Sequence, residues 1–260
     1  MSTFINSYLS QLDEQWKEVI LLIDQAELFI DSNVDFYNAL CRSASILIVS
    51  HLEGFLKDLI KNLVRDLNSN KKYSELPIAV QRSYCKKYLG FDKNKFNNYH
   101  QLIDEMVVEF SEYDNFTISH EPFLFDKNRN PKPESIKIVL ERFGIKDIFK
   151  LFHESKFDKC FESRRKTSHL LKRMKRLVSL STNQYPYRAS LSLFDLEASN
   201  YGGTRTLWQT YLDDINTIRH SIVHGNSFDN QVTTNQLKER QEQAYLLQLL
   251  IVYCLCAKVV

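Results

Sequence analysis

"TRTLWQTYLDDINTIRHSIVHG", residues 204–225, is the stretch on which the fold turns. Trp208, Tyr211, Leu212, Ile215, Ile218 and Ile222 recur at steps of three and four, the period of one helix face. Thr204, just after Gly202 and Gly203, is placed to cap the start of that helix. Gly225 stands where a C-terminal cap glycine belongs. The spacing predicts one amphipathic helix that ends in Arg219, His220 and His224.

The same period governs both ends of the chain. A polar loop, "NSFDNQVTTN", leads to a final helix over about 234–258. Its apolar run "AYLLQLLIVYCLCAKVV" is 17 residues long and contains Gln248 and Lys258, so a buried helix is expected rather than a membrane span. At the other end, residues 5–31 and about 35–68 read as two long helices around Asp31-Ser32-Asn33, with Ser32 or Asn33 capping the second. Two antiparallel helices joined by a short loop follow naturally.

Between these pairs the pattern is mixed. Residues 78–89 and 98–112 suit short helices, a strand-like piece falls near 116–118, and "ESIKIVLERFGIKDIFKLF" reads as helix, turn at Gly144, short helix. Residues 158–203 are basic at first. They then become rich in Ser, Tyr and Asn, as in a long loop. The expected fold is an all-α helical bundle forming one domain over 1–260. Its core helices lie at about 5–68 and 204–258, and 69–203 is an elaboration between them.

Composition narrows the function. Six glycines and five prolines are too few for an all-β chain, which needs a turn every eight to twelve residues or so. No G-x-G-x-x-G or G-x-x-x-x-G-K-[ST] occurs, so neither phosphate cradle is present. Net charge is +2, so any attraction for nucleic acid must be local. Cys41, Cys85, Cys160, Cys254 and Cys256 are odd in number, widely spaced and without C-x-x-C. Buried reduced thiols are expected from that pattern, not a disulfide framework or zinc site. The opening "MSTFINSYLSQLDEQW" has no basic segment before an apolar core, so no signal peptide is expected and the location is read as cytoplasmic.

"TYLDDINTIRHSIVHGN" resembles the signature helix of the HEPN superfamily: an arginine, a polar residue, three more residues, then histidine. Here these are Arg219, His220, Ser221-Ile222-Val223 and His224. "SHLEGFLKDLI", with Glu53, and "VLERFGIKDIF" are similar to the MAE-type, RiboL-PSP-like branch. The resemblance covers about 35–65 and 133–157, and best 205–257. It implies a metal-independent endoribonuclease, acting as a homodimer whose signature helices face each other, often a toxin or antiviral effector. It also admits members that have lost activity and bind RNA or a protein partner. No cofactor and no membrane association are implied, and an antitoxin or regulatory protein would be a natural partner.

The residue types suit that chemistry. Metal-free cleavage activates a ribose 2′-hydroxyl against the adjacent phosphorus, which requires a proton carrier and a cation. Histidine titrates near neutral pH, and arginine grips phosphate oxygens with a planar fork. On a helix, five residues place Arg219 and His224 roughly 140° apart, so two facing helices supply both groups to one cleft more readily than one does. His220 shares a face with His224 and would contact RNA or orient its neighbour. Glu53 would hold Arg219 through a charge-assisted hydrogen bond, although an exposed helix glutamate is the plainer reading. His224 at the helix end would also gain from the macrodipole when protonated.

R-x-x-x-x-H alone is a weak signal with 13 arginines and 7 histidines present, and Arg164 with His169 makes a second copy. That copy lacks the long amphipathic helix before it and the glycine after it, and reads as coincidence. From Lys159 to Arg176 there are eight Lys or Arg against one Glu, including Arg164, Arg165, Lys166, Lys172, Arg173 and Arg176. This run would track RNA phosphates, dock an acidic protein, or form a solvated helix face. Tyr185, Tyr187 and Tyr201 nearby would stack bases or pack locally. Asp213 and Asp214 point about 100° apart on a helix and have no histidine cluster beside them, so no metal is expected there. Cys254 and Cys256 read as core.

Overall fold

The computed structural model describes the chain except residues 1, 95, 126–129, 195, 197–202, 204 and 226–231. Among the described residues there are α-helices and short 3-10 turns and no strand. α1 (Phe4–Glu27) and α2 (Val34–Asn70) pack antiparallel along their lengths. Thr3 caps α1 by accepting from the Asn6 amide, and Asn33, one of the two expected caps, accepts from Phe36 N at 3.0 Å. The hairpin is closed by Asp66, near the end of α2. Its carboxylate accepts from the amides of Phe4 and Ile5 at 2.8 and 3.0 Å and from the Tyr187 hydroxyl at 2.7 Å. Free amides at a helix start and the dipole behind them let that carboxylate be buried.

The C-terminal helix occupies the centre. In this last helix of the chain, Thr234–Lys258, every residue from Ala244 to Cys256 is buried, as an all-round apolar helix requires. Gln248 is a polar anchor near its middle: its oxygen accepts from Trp16 Nε1 at 2.8 Å and its nitrogen donates to His51 O at 3.3 Å. All five cysteines are free and buried, and burial pushes the Cys254 thiol up to about 12. α2 is the one described helix long and apolar enough to cross a membrane by length and composition. Its inner face packs on α1 and on the two C-terminal helices.

α3 (Ile78–Leu89) and α4 (Tyr99–Ser111) form a side hairpin with its own small core of Cys85, Tyr99 and Ile103. The strand-like piece is not a strand. Ile118 satisfies its backbone on the Asn68 side-chain amide instead, donating at 3.1 Å and accepting at 2.8 Å. α5 (Pro133–Glu141) and α6 (Ile148–Phe152) follow, turned at Gly144 with φ +87°, where a side chain would be strained.

α7 (Arg164–Thr182) starts at the Ser163 cap and covers most of the basic stretch. Its residues fall within the expected elaboration over 69–203. In the structure Thr167, Leu171, Met174 and Val178 are buried, and the helix packs against the C-terminal helix and α1. Residues from α5 and α6 join the same core. α8 (Leu207–Val223) is the helix read first, and α9 is the C-terminal helix (Thr234–Lys258). The α8 cap is Thr206, in a reciprocal capping box with Gln209, and not Thr204, which lies outside the described residues. Trp208 is fully buried against Phe152 and Phe161.

Candidate active site at the end of α8

The apolar face of α8 fixes where its polar end lies. Ile215 and Ile218 line one small gap with Ser45 and Ile48 of α2 and Leu237 and Arg240 of α9. The next residue, Arg219, therefore reaches α2. Its Nη2 lies 3.6 Å from Glu53 Oε1, an ion pair somewhat longer than a hydrogen bond, with both side chains about a quarter exposed (26% and 27%). Its Nη1 donates to Asn130 Oδ1 at 3.1 Å. Its Nε is buried with no partner. One hydrogen bond, to Asn130, and the charge of Glu53 thus orient the guanidinium.

Asn130 belongs to the loop before α5, 89 residues from Arg219 in sequence. The loop is pinned to α8 one turn earlier, where Asn216 Nδ2 donates to Pro131 O at 3.3 Å. Neither asparagine was singled out from the sequence. For Asn130 there was no local signal. For Asn216 there was one: it sits four residues after Leu212 and three before Arg219, the spacing of one helix face.

The histidines stand apart from that clamp. His220 and His224 are both exposed, and their rings lie 4.2 Å apart at an angle of 53°. His224 is the C-cap residue, and its amide donates to His220 O at 3.1 Å. Gly225 follows with φ +68°, the left-handed turn that ends helices. The end of α8 therefore presents a part-buried arginine beside Glu53 and Asn130 and an exposed imidazole pair.

The remaining candidates divide. Arg164 is held by Glu242 at 3.2 Å and Lys166 by Glu162, so two of the six cations expected to meet RNA are engaged within the chain. Lys175 pairs with Asp13 at 2.7 Å. Arg165, Lys172, Arg173 and Arg176 are exposed, and among the described residues no carboxylate pairs with them. The second R-x-x-x-x-H copy opens α7 instead of ending a helix, and its arginine is the one bound to Glu242. Tyr187 is buried on Asp66 and Tyr185 packs edge-on against it, so both pack locally; Tyr201 lies outside the described residues. Asp213 is paired with Arg205 at 3.1 Å.

An all-α bundle whose R-x-x-x-x-H helix ends exposed, with its arginine leaning on a glutamate of the second helix, defines a module of the HEPN class. The family model described as RiboL-PSP-HEPN matches residues 10–255, and the chain belongs to that family. It is thus a nuclease-type or RNA-related module. The basic helix lies inside the matched span. No curated protein and no solved structure matches the chain.

Proposed function

We propose that the chain is a metal-independent endoribonuclease that works as a homodimer and serves as a toxin or antiphage-defence effector, held in check by an antitoxin or regulatory protein. The observation that carries this reading is the end of α8: an oriented guanidinium on one flank and two solvent-facing imidazoles on the other. His224 takes the proton from the 2′-hydroxyl as the 2′-oxygen bonds to phosphorus. The phosphorus–O5′ bond then breaks, and the leaving oxygen collects a proton from the imidazolium. Arg219 neutralises the charge that builds on the phosphoryl oxygens. His220, whose ring lies 4.2 Å from that of His224 at a tilt of 53°, fixes its ring or meets the RNA. The products are a 2′,3′-cyclic phosphate and a 5′-hydroxyl.

The angular separation of Arg219 and His224 supports a site completed by a second copy, since a two-fold axis brings the same end of α8 from each subunit to one cleft. The test is cleavage of RNA by the full chain in excess EDTA. Expected are cuts ending in cyclic phosphate at an undiminished rate. Loss of cleavage on chelation, or products with 3′-hydroxyl ends, would contradict the chemistry.

A further inference from the structure

The cations of α7 that pair with no carboxylate among the described residues are not scattered. At about 100° per residue, Arg165, His169, Lys172, Arg173 and Arg176 fall within roughly 80–100° of one another. The buried residues Thr167, Leu171, Met174 and Val178 lie on the opposite side. The cations and His169 are all exposed. From Ser163 to Phe194 the sequence holds no Asp or Glu. The carboxylates that do reach this helix, Glu162, Glu242 and Asp13, take Lys166, Arg164 and Lys175 and leave the outer stripe alone. In a chain of net charge +2, this is a concentrated local field.

Two features select the occupant. Between Arg165 and Arg176 no apolar side chain is exposed, whereas a protein interface needs an apolar centre. And residues 165, 169, 172 and 176 succeed one another at about 4.5–6 Å along the helix axis, comparable to the separation of consecutive phosphates along a nucleic-acid strand. We propose that this outer face of α7 is the surface on which the chain docks single-stranded RNA by its phosphates. The proposal rests on the RNA reading above and assigns to the substrate a surface distinct from the cleaving groups. Arg165, Lys172, Arg173 and Arg176 make the phosphate contacts, and Arg164 and Lys166 do not. Such contacts carry no base preference.

Binding and cutting are read separately. The full chain carrying His224→Ala is titrated into a fluorescent single-stranded RNA, followed by anisotropy across a KCl series. Beside it stands the same chain with Arg165→Gln, Lys172→Gln, Arg173→Gln and Arg176→Gln added. Each released phosphate contact contributes about −0.7 to the log–log salt slope for a single strand. The added substitutions are therefore expected to flatten the slope by about 3 and to weaken binding at least ~10-fold at low salt. The control, Arg164→Gln with Lys166→Gln, is expected to bind within about twofold of its parent, because both cations already serve carboxylates. Circular dichroism confirms folding, which exposed substitutions leave intact.

An unchanged affinity and slope in the fourfold variant overturns the proposal. So does an equal loss in the control, a parent that binds no RNA, or displacement of the RNA by polyglutamate at equal charge, which would mark an acidic-protein surface. The cleavage reading fails on other grounds, when RNA is cut after loss of Arg219 or His224, so the two failures are distinguishable.

Discussion

Arg219→Ala is expected to lower the rate of RNA cleavage by about 10²–10³-fold, the usual cost of removing one preorganised group aimed at developing charge. Substrate binding should change far less. The reason lies in how the guanidinium is held. Glu53 and Asn130 fix its orientation before any RNA arrives, so little reorganisation is needed when charge builds on phosphorus. Arg219→Lys keeps the charge but not the planar fork, and is expected to recover only part of the rate. His224→Ala should cost about 10²–10⁴-fold, the range for a lost proton carrier. Glu53→Gln and Asn130→Ala act through Arg219 and should each lower the rate less than Arg219→Ala does. None of these changes should alter stability much, because the Arg219–Glu53 pair is part exposed and such pairs contribute at most about 1 kcal/mol. Single-turnover cleavage beside a thermal melt checks both halves. Full activity of Arg219→Ala would remove the proposed role.

The largest structural effect is expected at Trp16. Its side chain is 1% exposed and ties α1 to two other helices. It packs against His51 of α2 and Tyr245 of α9, and its Nε1 donates to Gln248 Oε1 at 2.8 Å. Trp16→Ala should destabilise the chain by about 3–5 kcal/mol through the cavity alone, and it leaves the Gln248 oxygen buried without its donor. That is a large part of the roughly 5–15 kcal/mol by which domains are stable. Urea unfolding measures it, and a loss below about 1 kcal/mol would show that α1 is not locked to α9 as described.

What the sequence disclosed depended on where the information was stored. The α8 helix and its glycine end are written in adjacent residues, and so are the breaks that bound α2, α3 and α4. The place of α7 in the core was harder to see. Leu171, Met174 and Val178 do follow a helical step, but cations surround them and composition masks the period. The start of α8 was placed at Thr204 because two glycines precede it. Thr206 does the capping because Gln209 lies three residues on, the capping-box spacing. Residues 116–118 alternate like a strand, yet a strand needs a partner, and here Asn68 supplies the two hydrogen bonds from α2. Asn130 is invisible in one dimension, since only the folded chain carries it across 89 residues to Arg219. The division of the basic run into paired and unpaired cations is likewise a property of α1 and α9, which bring Asp13 and Glu242 to it.

The central claim is that one phosphodiester is surrounded by the arginine of one copy and the histidine of the other. Mixing the two inactive variants, Arg219→Ala and His224→Ala, after subunit exchange tests it most directly. In a mixed dimer one of the two symmetry-related Arg–His pairs across the cleft is then intact, with Arg219 from one copy and His224 from the other. With random exchange, cleavage should return to about a quarter of the wild-type rate. A mixture that dimerises and exchanges yet stays as inactive as either variant alone would contradict the shared cleft.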